Sequence, residues 1–332
     1  MALKSALRTL WAWLNRWFHW IALVGVVIGL ALAVKSQWTA ITELDWAGSW
    51  RTLLLSAVCF SAAPLAQACT FWIILRLLRA HAPFSEAMVI WAHSYVLRYA
   101  PSGALAVVYR VRERERLEAT REQILAAEAY EHLGSMTAGA CAFLLGFAAL
   151  RSGPPWLGIV VAVPVLVVAF AVRPRFLGRW VQSFLRRMGI DAPILRGRHV
   201  VLVVLVNLVA WIGTGLGLLV LLNGLTNESS PGLVWAIATY SVAYLIGFVV
   251  PFLPGGLGAR EGALIAVLAP RYGGGSATGI ALAARLSATL GEALAVCLIW
   301  VAYFAARALP GHQARGVAAV DDGEVADSQI GS

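Results

Sequence analysis

Lysine is nearly absent: Lys4 and Lys35 are the only two in 332 residues, and neither follows a glycine. A Gly-Lys-Ser/Thr phosphate loop is thereby excluded, and with it an ATP-driven pump of that type. Charge of either sign is scarce, at 13% of residues, which excludes an ordinary water-soluble chain of this length. Cysteine is sparse too. Cys59, Cys69, Cys141 and Cys297 each lie in an apolar segment, with no Cys-x-x-Cys pair and no histidine pair nearby. No zinc pattern exists, and buried packing is their expected role.

What is there instead is apolar surface: 60% of the residues are hydrophobic and the mean hydropathy is +0.76. The chain reads as an all-α polytopic membrane protein. Its net charge of +9 comes from arginines that gather in loops between apolar runs, so nucleic acid is not an expected partner.

Eight transmembrane segments are expected, at about 18–34, 52–75, 123–150, 156–172, 200–222, 233–250, 262–270 and 278–304. The first follows a basic, tryptophan-rich interfacial lead-in (1–17); Ala31-Leu32-Ala33 resembles a cleavage site, but the long charged lead-in favours an uncleaved span. Residues 84–101 are interrupted by Glu86, His93 and Arg98 and read as a re-entrant or interfacial segment. The stretch from Arg110 to Glu122 alternates five arginines with four glutamates, a pattern expected of a solvated helix braced by opposite charges. Between 173 and 198, Phe176, Leu177, Trp180, Val181, Phe184, Leu185 and Met188 form an apolar stripe opposite Arg179, Arg186 and Arg187, as in a cytoplasmic interfacial helix. The tail, 306–332, is polar, ends acidic and is expected to be disordered. Nineteen basic residues fall in loops on one side and only Lys35, Arg51, Arg151 and Arg271 on the other, which places both termini in the cytoplasm.

The chain's most unusual stretch is 251–262, where Pro251, Pro254, Gly255, Gly256 and Gly258 break an apolar run and Arg260 and Glu261 follow. A helix restarting there would aim its free N–H groups and positive dipole end into the protein, a setting for a phosphate or carboxylate. Glu128, Glu131, Arg260, Glu261, Arg285 and Glu292 fall within membrane segments, where each would cost roughly 2.5 to 3.5 kcal/mol against lipid. They must therefore face one another, a cavity or a substrate. A shorter Pro/Gly break, Arg98-Tyr-Ala-Pro-Ser-Gly, echoes the second and suggests a pseudo-symmetric site.

The run Pro254-Gly-Gly-Leu-Gly-Ala-Arg-Glu-Gly, with its Pro-Gly-Gly-x-Gly-x-x-Glu core, resembles the membrane domain of lysylphosphatidylglycerol synthases and its stand-alone, flippase-like relatives. Arg98-Tyr-x-Pro, Glu128, Glu131 and the span containing Arg285 are softer matches, and Ser102 departs from the glycine expected after the first-half proline. The resemblance spans about 18–305 and implies a helical domain of the bacterial inner membrane that moves a lipid headgroup between leaflets. The residues after 305 are not expected to form a transferase domain, so aminoacylation is not expected to carry over.

The expected ligand is a membrane lipid with an anionic or prenyl-phosphate-linked headgroup, held by Arg260, Glu261, Gly255, Gly256, Gly258, Arg98 and Arg285. Glu128, Glu131 and Glu292 are expected to pair with cations or carry a proton, and no cofactor or metal is expected. Two other readings stay open: a scaffold that presents lipid to a separate glycosyl- or aminoacyltransferase, and a lipid-phosphate enzyme. Against the enzyme, Pro101-Ser102-Gly103 is followed by Ala104 where a Pro-Ser-Gly-His box needs its histidine.

Overall fold

The computed structural model describes residues 49–97, 104–147, 193–226, 231–249 and 258–308, with isolated positions between. These form α1 (Trp50–Leu77), α2 (Phe84–Leu97), α3 (Ala104–Arg112), α4 (Arg121–Phe147), α5 (Gly197–Leu225), α6 (Leu233–Val249) and α7 (Ala259–Ala308). The described residues contain no strand. The expected segments at 18–34 and 156–172, the lead-in, most of the interfacial helix and the tail beyond Ala308 lie outside them.

Helix is the form that satisfies every backbone group within one segment, which apolar surroundings demand. Three of the helices, α1, α5 and α7, are long and apolar enough to cross a membrane, and α6 is a shorter apolar helix. Among the described residues, where six of the eight expected spans fall, these three helices meet that measure, so the count of eight is not supported there. The segment expected at 123–150 is present as α4, but its first half carries Glu122, Glu128 and Glu131 and is not apolar enough. The two expected segments at 262–270 and 278–304 are both present, as the two legs of α7, which are separate helices that meet at Gly273, where the φ of +76° is not helical. Its first leg is about 21 Å long at 1.5 Å per residue, less than a bilayer core of about 30 Å. Helix α2 covers Phe84–Leu97 of the segment expected at 84–101, and the rest of that segment lies outside the described residues.

Helix α1 packs against α5 and α7, and α6 against α4, α5 and α7. Small residues allow the close crossings: a Cβ at 291 would sit 2.5 Å from the Ala57 carbonyl oxygen, and one at 213 would sit 3.0 Å from that of Cys59. Two apolar clusters result. One joins Phe71, Ile74, Trp91, Ile124 and Tyr130 around α1, α2 and α4; the other joins Trp211, Leu218, Tyr240, Leu264 and Ile280 around α5, α6 and α7. Large apolar side chains such as Leu145, Val209, Val301 and Phe304 point outward, as a lipid-facing surface requires. The four cysteines are free thiols; Cys59, Cys69 and Cys141 are half-buried, and Cys297 is exposed rather than buried as expected.

Candidate functional site

Two groups of charged residues lie inside the protein, one in each half. The first is centred on Arg110, which is 4% exposed. Its Nε donates to Ser94 Oγ at 2.7 Å, and its Nη1 donates to Glu128 Oε2 at 2.6 Å and Glu131 Oε2 at 2.7 Å. Trp91 Nε1 donates to the other Glu131 oxygen at 2.8 Å, and the guanidinium lies 4.4 Å from the centre of the Phe71 ring. Four helices, α1 to α4, thus meet on one cation.

This overturns the reading of the Arg110–Glu122 stretch as a solvated helix. Helix α3 ends at Arg112, residues 113–118 form turns, and Arg110 is buried. The cause is competition: two carboxylates one helical turn apart on α4 need a cation, and Arg110 is the residue that α3 brings within reach. The start of α4 is set locally. Thr120 and Gln123 cap each other, Gln123 N–H to Thr120 Oγ1 at 3.2 Å and Thr120 N–H to Gln123 Oε1 at 2.8 Å, a Thr-x-x-Gln capping box.

The second group lies where α7 begins. Gly258, with φ of +83°, occupies the position just before the helix and donates its N–H to Glu261 Oε2 at 2.6 Å. Glu261 Oε1 faces Arg285 Nη1 from the second leg of α7 at 3.6 Å. Arg260 turns toward α6, its guanidinium 4.5 Å from the Tyr240 ring centre and 5.0 Å from that of Tyr244. Those two tyrosines are one turn apart, so they bracket a single cation, an attraction worth more when desolvated. Gly247 makes the approach possible, since a Cβ there would sit 3.0 Å from Arg260 Cβ. A guanidinium laid on aromatic faces presents its N–H groups in its own plane, the geometry that grips phosphate.

Gly258, Arg260, Glu261 and Arg285 are therefore brought together, while Glu128 and Glu131 join the Arg110 group. Glu292 is half-buried two turns beyond Arg285 on the same leg. Arg98, Gly255 and Gly256 lie outside the described residues. His132, on α4, places Nδ1 3.6 Å from Glu128 Oε1 and its ring 6.3 Å from that of Phe248 on α6. Among the described residues no group of three His, Cys, Asp or Glu side chains is arranged to hold a metal ion.

A third, more exposed group ties α7 to α2. Glu86 accepts from Arg116 Nη2 at 2.6 Å, Tyr303 Oη at 2.9 Å and Arg307 Nη2 at 3.0 Å. Burial pushes the Glu86 carboxyl up, but the hydrogen bonds from Tyr303 and Arg116 and the charge of Arg307 outweigh it and hold the carboxyl below its ordinary value. Sequence reading missed Arg110, Tyr240, Tyr244 and this latch. The two tyrosines had a legible signal, their four-residue spacing on a helix facing the broken stretch.

Apolar helices that close over buried charge define an integral membrane protein. The chain belongs to the family described as lysylphosphatidylglycerol synthase TM region, whose sequence model matches residues 19–295. No curated protein matches the chain.

Proposed function

We propose that this protein moves a lipid with an anionic or prenyl-phosphate-linked headgroup between leaflets of a bacterial inner membrane, with both termini cytoplasmic. The headgroup is held where α7 begins, by Arg260, Arg285 and the first N–H groups of the helix. The observation that carries this is the placement of Arg260 between Tyr240 and Tyr244, next to the buried Glu261, at a helix start that follows a Pro/Gly break in an apolar run. Arg260 stands in the first turn, where the helix dipole disfavours a cation, and a bound anion would be favoured by the helix start and the arginine together. The reading assigns the chain no bond-breaking step and no cofactor. The Arg110 group serves as the rigid base against which the α6–α7 region works, its glutamates engaged in ion pairing rather than exposed to a substrate.

The test is leaflet exchange in proteoliposomes, with labelled phospholipids and prenyl-phosphate lipids, comparing the natural chain with Arg260→Ala. Exchange that falls at least about tenfold in the variant is the expected result. If a folded, inserted protein exchanges no lipid at all, the translocator reading is wrong, and a scaffold presenting lipid to a separate transferase takes its place.

A further inference from the structure

Buried carboxylates in this fold are treated in two ways. Glu131 has both oxygens satisfied, Oε1 by Trp91 and Oε2 by Arg110. Glu261, only 3% exposed, has Oε2 bonded to the Gly258 N–H, but its Oε1 has no hydrogen-bond partner. The nearest cation, Arg285 Nη1, stands 3.6 Å away, beyond hydrogen-bond reach. Of the buried side-chain atoms without a partner among the described residues, this is the one that belongs to a carboxylate. A carboxyl oxygen left without a hydrogen bond is expensive to bury, and proteins keep such groups where something else completes them.

We infer that Glu261 Oε1 accepts a hydrogen bond from a hydroxyl of the bound headgroup, so that the site selects a phosphate lipid carrying a polyol or sugar over an equally charged lipid without a hydroxyl. This rests on the headgroup site proposed above and names its substrate class. The donor is a hydroxyl because Arg285 already stands 3.6 Å from Oε1 and supplies the opposite charge, so what the oxygen lacks is a hydrogen bond rather than a further cation. The phosphate lies toward the arginines and the start of α7, and the hydroxyl reaches past it to the carboxylate. Glu261 is thus both helix cap and selector: one oxygen fixes the first turn and the other reads the ligand.

The test uses the purified full-length chain in detergent and displacement of a fluorescent short-chain phosphatidylglycerol. The competitors are unlabelled short-chain phosphatidylglycerol and phosphatidylethanol, which share a charge and differ in the hydroxyls. Phosphatidylglycerol is expected to displace the probe at a concentration at least about tenfold lower, because a site built to bond a hydroxyl rejects the analogue that lacks it. In Glu261→Gln the gap should shrink to less than about threefold. Equal displacement by both lipids in the natural chain overturns the inference and leaves the anion site standing. If neither competitor displaces and Arg260→Ala leaves leaflet exchange unchanged, both readings fall. The comparison in the natural chain decides the matter even if the Glu261→Gln chain does not fold.

Discussion

Arg110→Met removes the cation from the most buried charge group and keeps an unbranched side chain of similar length. Three charge-assisted or polar hydrogen bonds go with it, to Ser94, Glu128 and Glu131. The two carboxylates do not suffer equally. The side chain of Glu128 is 16% exposed and has His132 beside it, so it regains some solvation; that of Glu131 is 6% exposed and keeps only the Trp91 N–H. Breaking a buried pair by deleting one partner costs about 3–5 kcal/mol, most of it here from stranded Glu131. Against a total stability of about 5–15 kcal/mol this is a large share. Equilibrium unfolding in mixed micelles measures it. Arg110→Lys should recover little, since a single ammonium does not reproduce a fork that reaches a serine and two carboxylates. Adding Glu128→Gln and Glu131→Gln to Arg110→Met should return the protein to within about 2 kcal/mol of the natural chain, because no uncompensated charge remains. The reasoning is refuted if Arg110→Met alone unfolds within about 1 kcal/mol of the natural protein.

Two further outcomes follow from packing and from the latch. Gly291→Ala should destabilise by about 1–3 kcal/mol in the same unfolding assay, since its Cβ would meet the Ala57 carbonyl oxygen at 2.5 Å and the Ser61 nitrogen at 2.9 Å, both backbone atoms. Gly262→Ala, where a Cβ meets nothing within 4 Å, should instead stabilise by roughly 0.5–1 kcal/mol through helix propensity. The Glu86 carboxyl titrates below its ordinary value in the folded protein, so its contribution is complete above the unfolded-state value of about 4.3 and is lost as pH falls through the folded value. Thermal melts of the natural chain and Glu86→Gln should therefore differ at pH 6 and converge as the pH drops through the acid range; a gap unchanged down to pH about 3 contradicts the role given to the latch.

How far the candidate site could be read without coordinates depended on how local each signal was. Gly258, Arg260 and Glu261 are contiguous, and their meaning follows from a helix restarting after a Pro/Gly break. The cap itself is a three-residue relation, Gly258 N–H to Glu261. Arg285 was recognisable as a charge out of place, but its partner was not, because a bend at Gly273 is what folds the second leg of α7 back on the first. Arg110 was misread for the opposite reason. Its neighbours in sequence are charges of both signs, which satisfy a solvated-helix pattern, whereas its actual partners are 18 and 21 residues away on another helix.

Composition and hydropathy alone were enough to establish the solvent and the class: a chain with so little charge folds in lipid, and in lipid the backbone of a segment with this pattern must be helical. The break at 251–262 and the need for every interior charge to find a partner were equally plain from the residues. Which charge meets which was settled by helix packing, and so were the bracketing of Arg260 by Tyr240 and Tyr244 and the orphaned oxygen of Glu261. The physical reason is reach. Periodicity and capping act over a single helical turn, while an ion pair or an unfilled acceptor depends on which helices glycine-lined crossings let approach, and on what then stands within 3 or 4 Å.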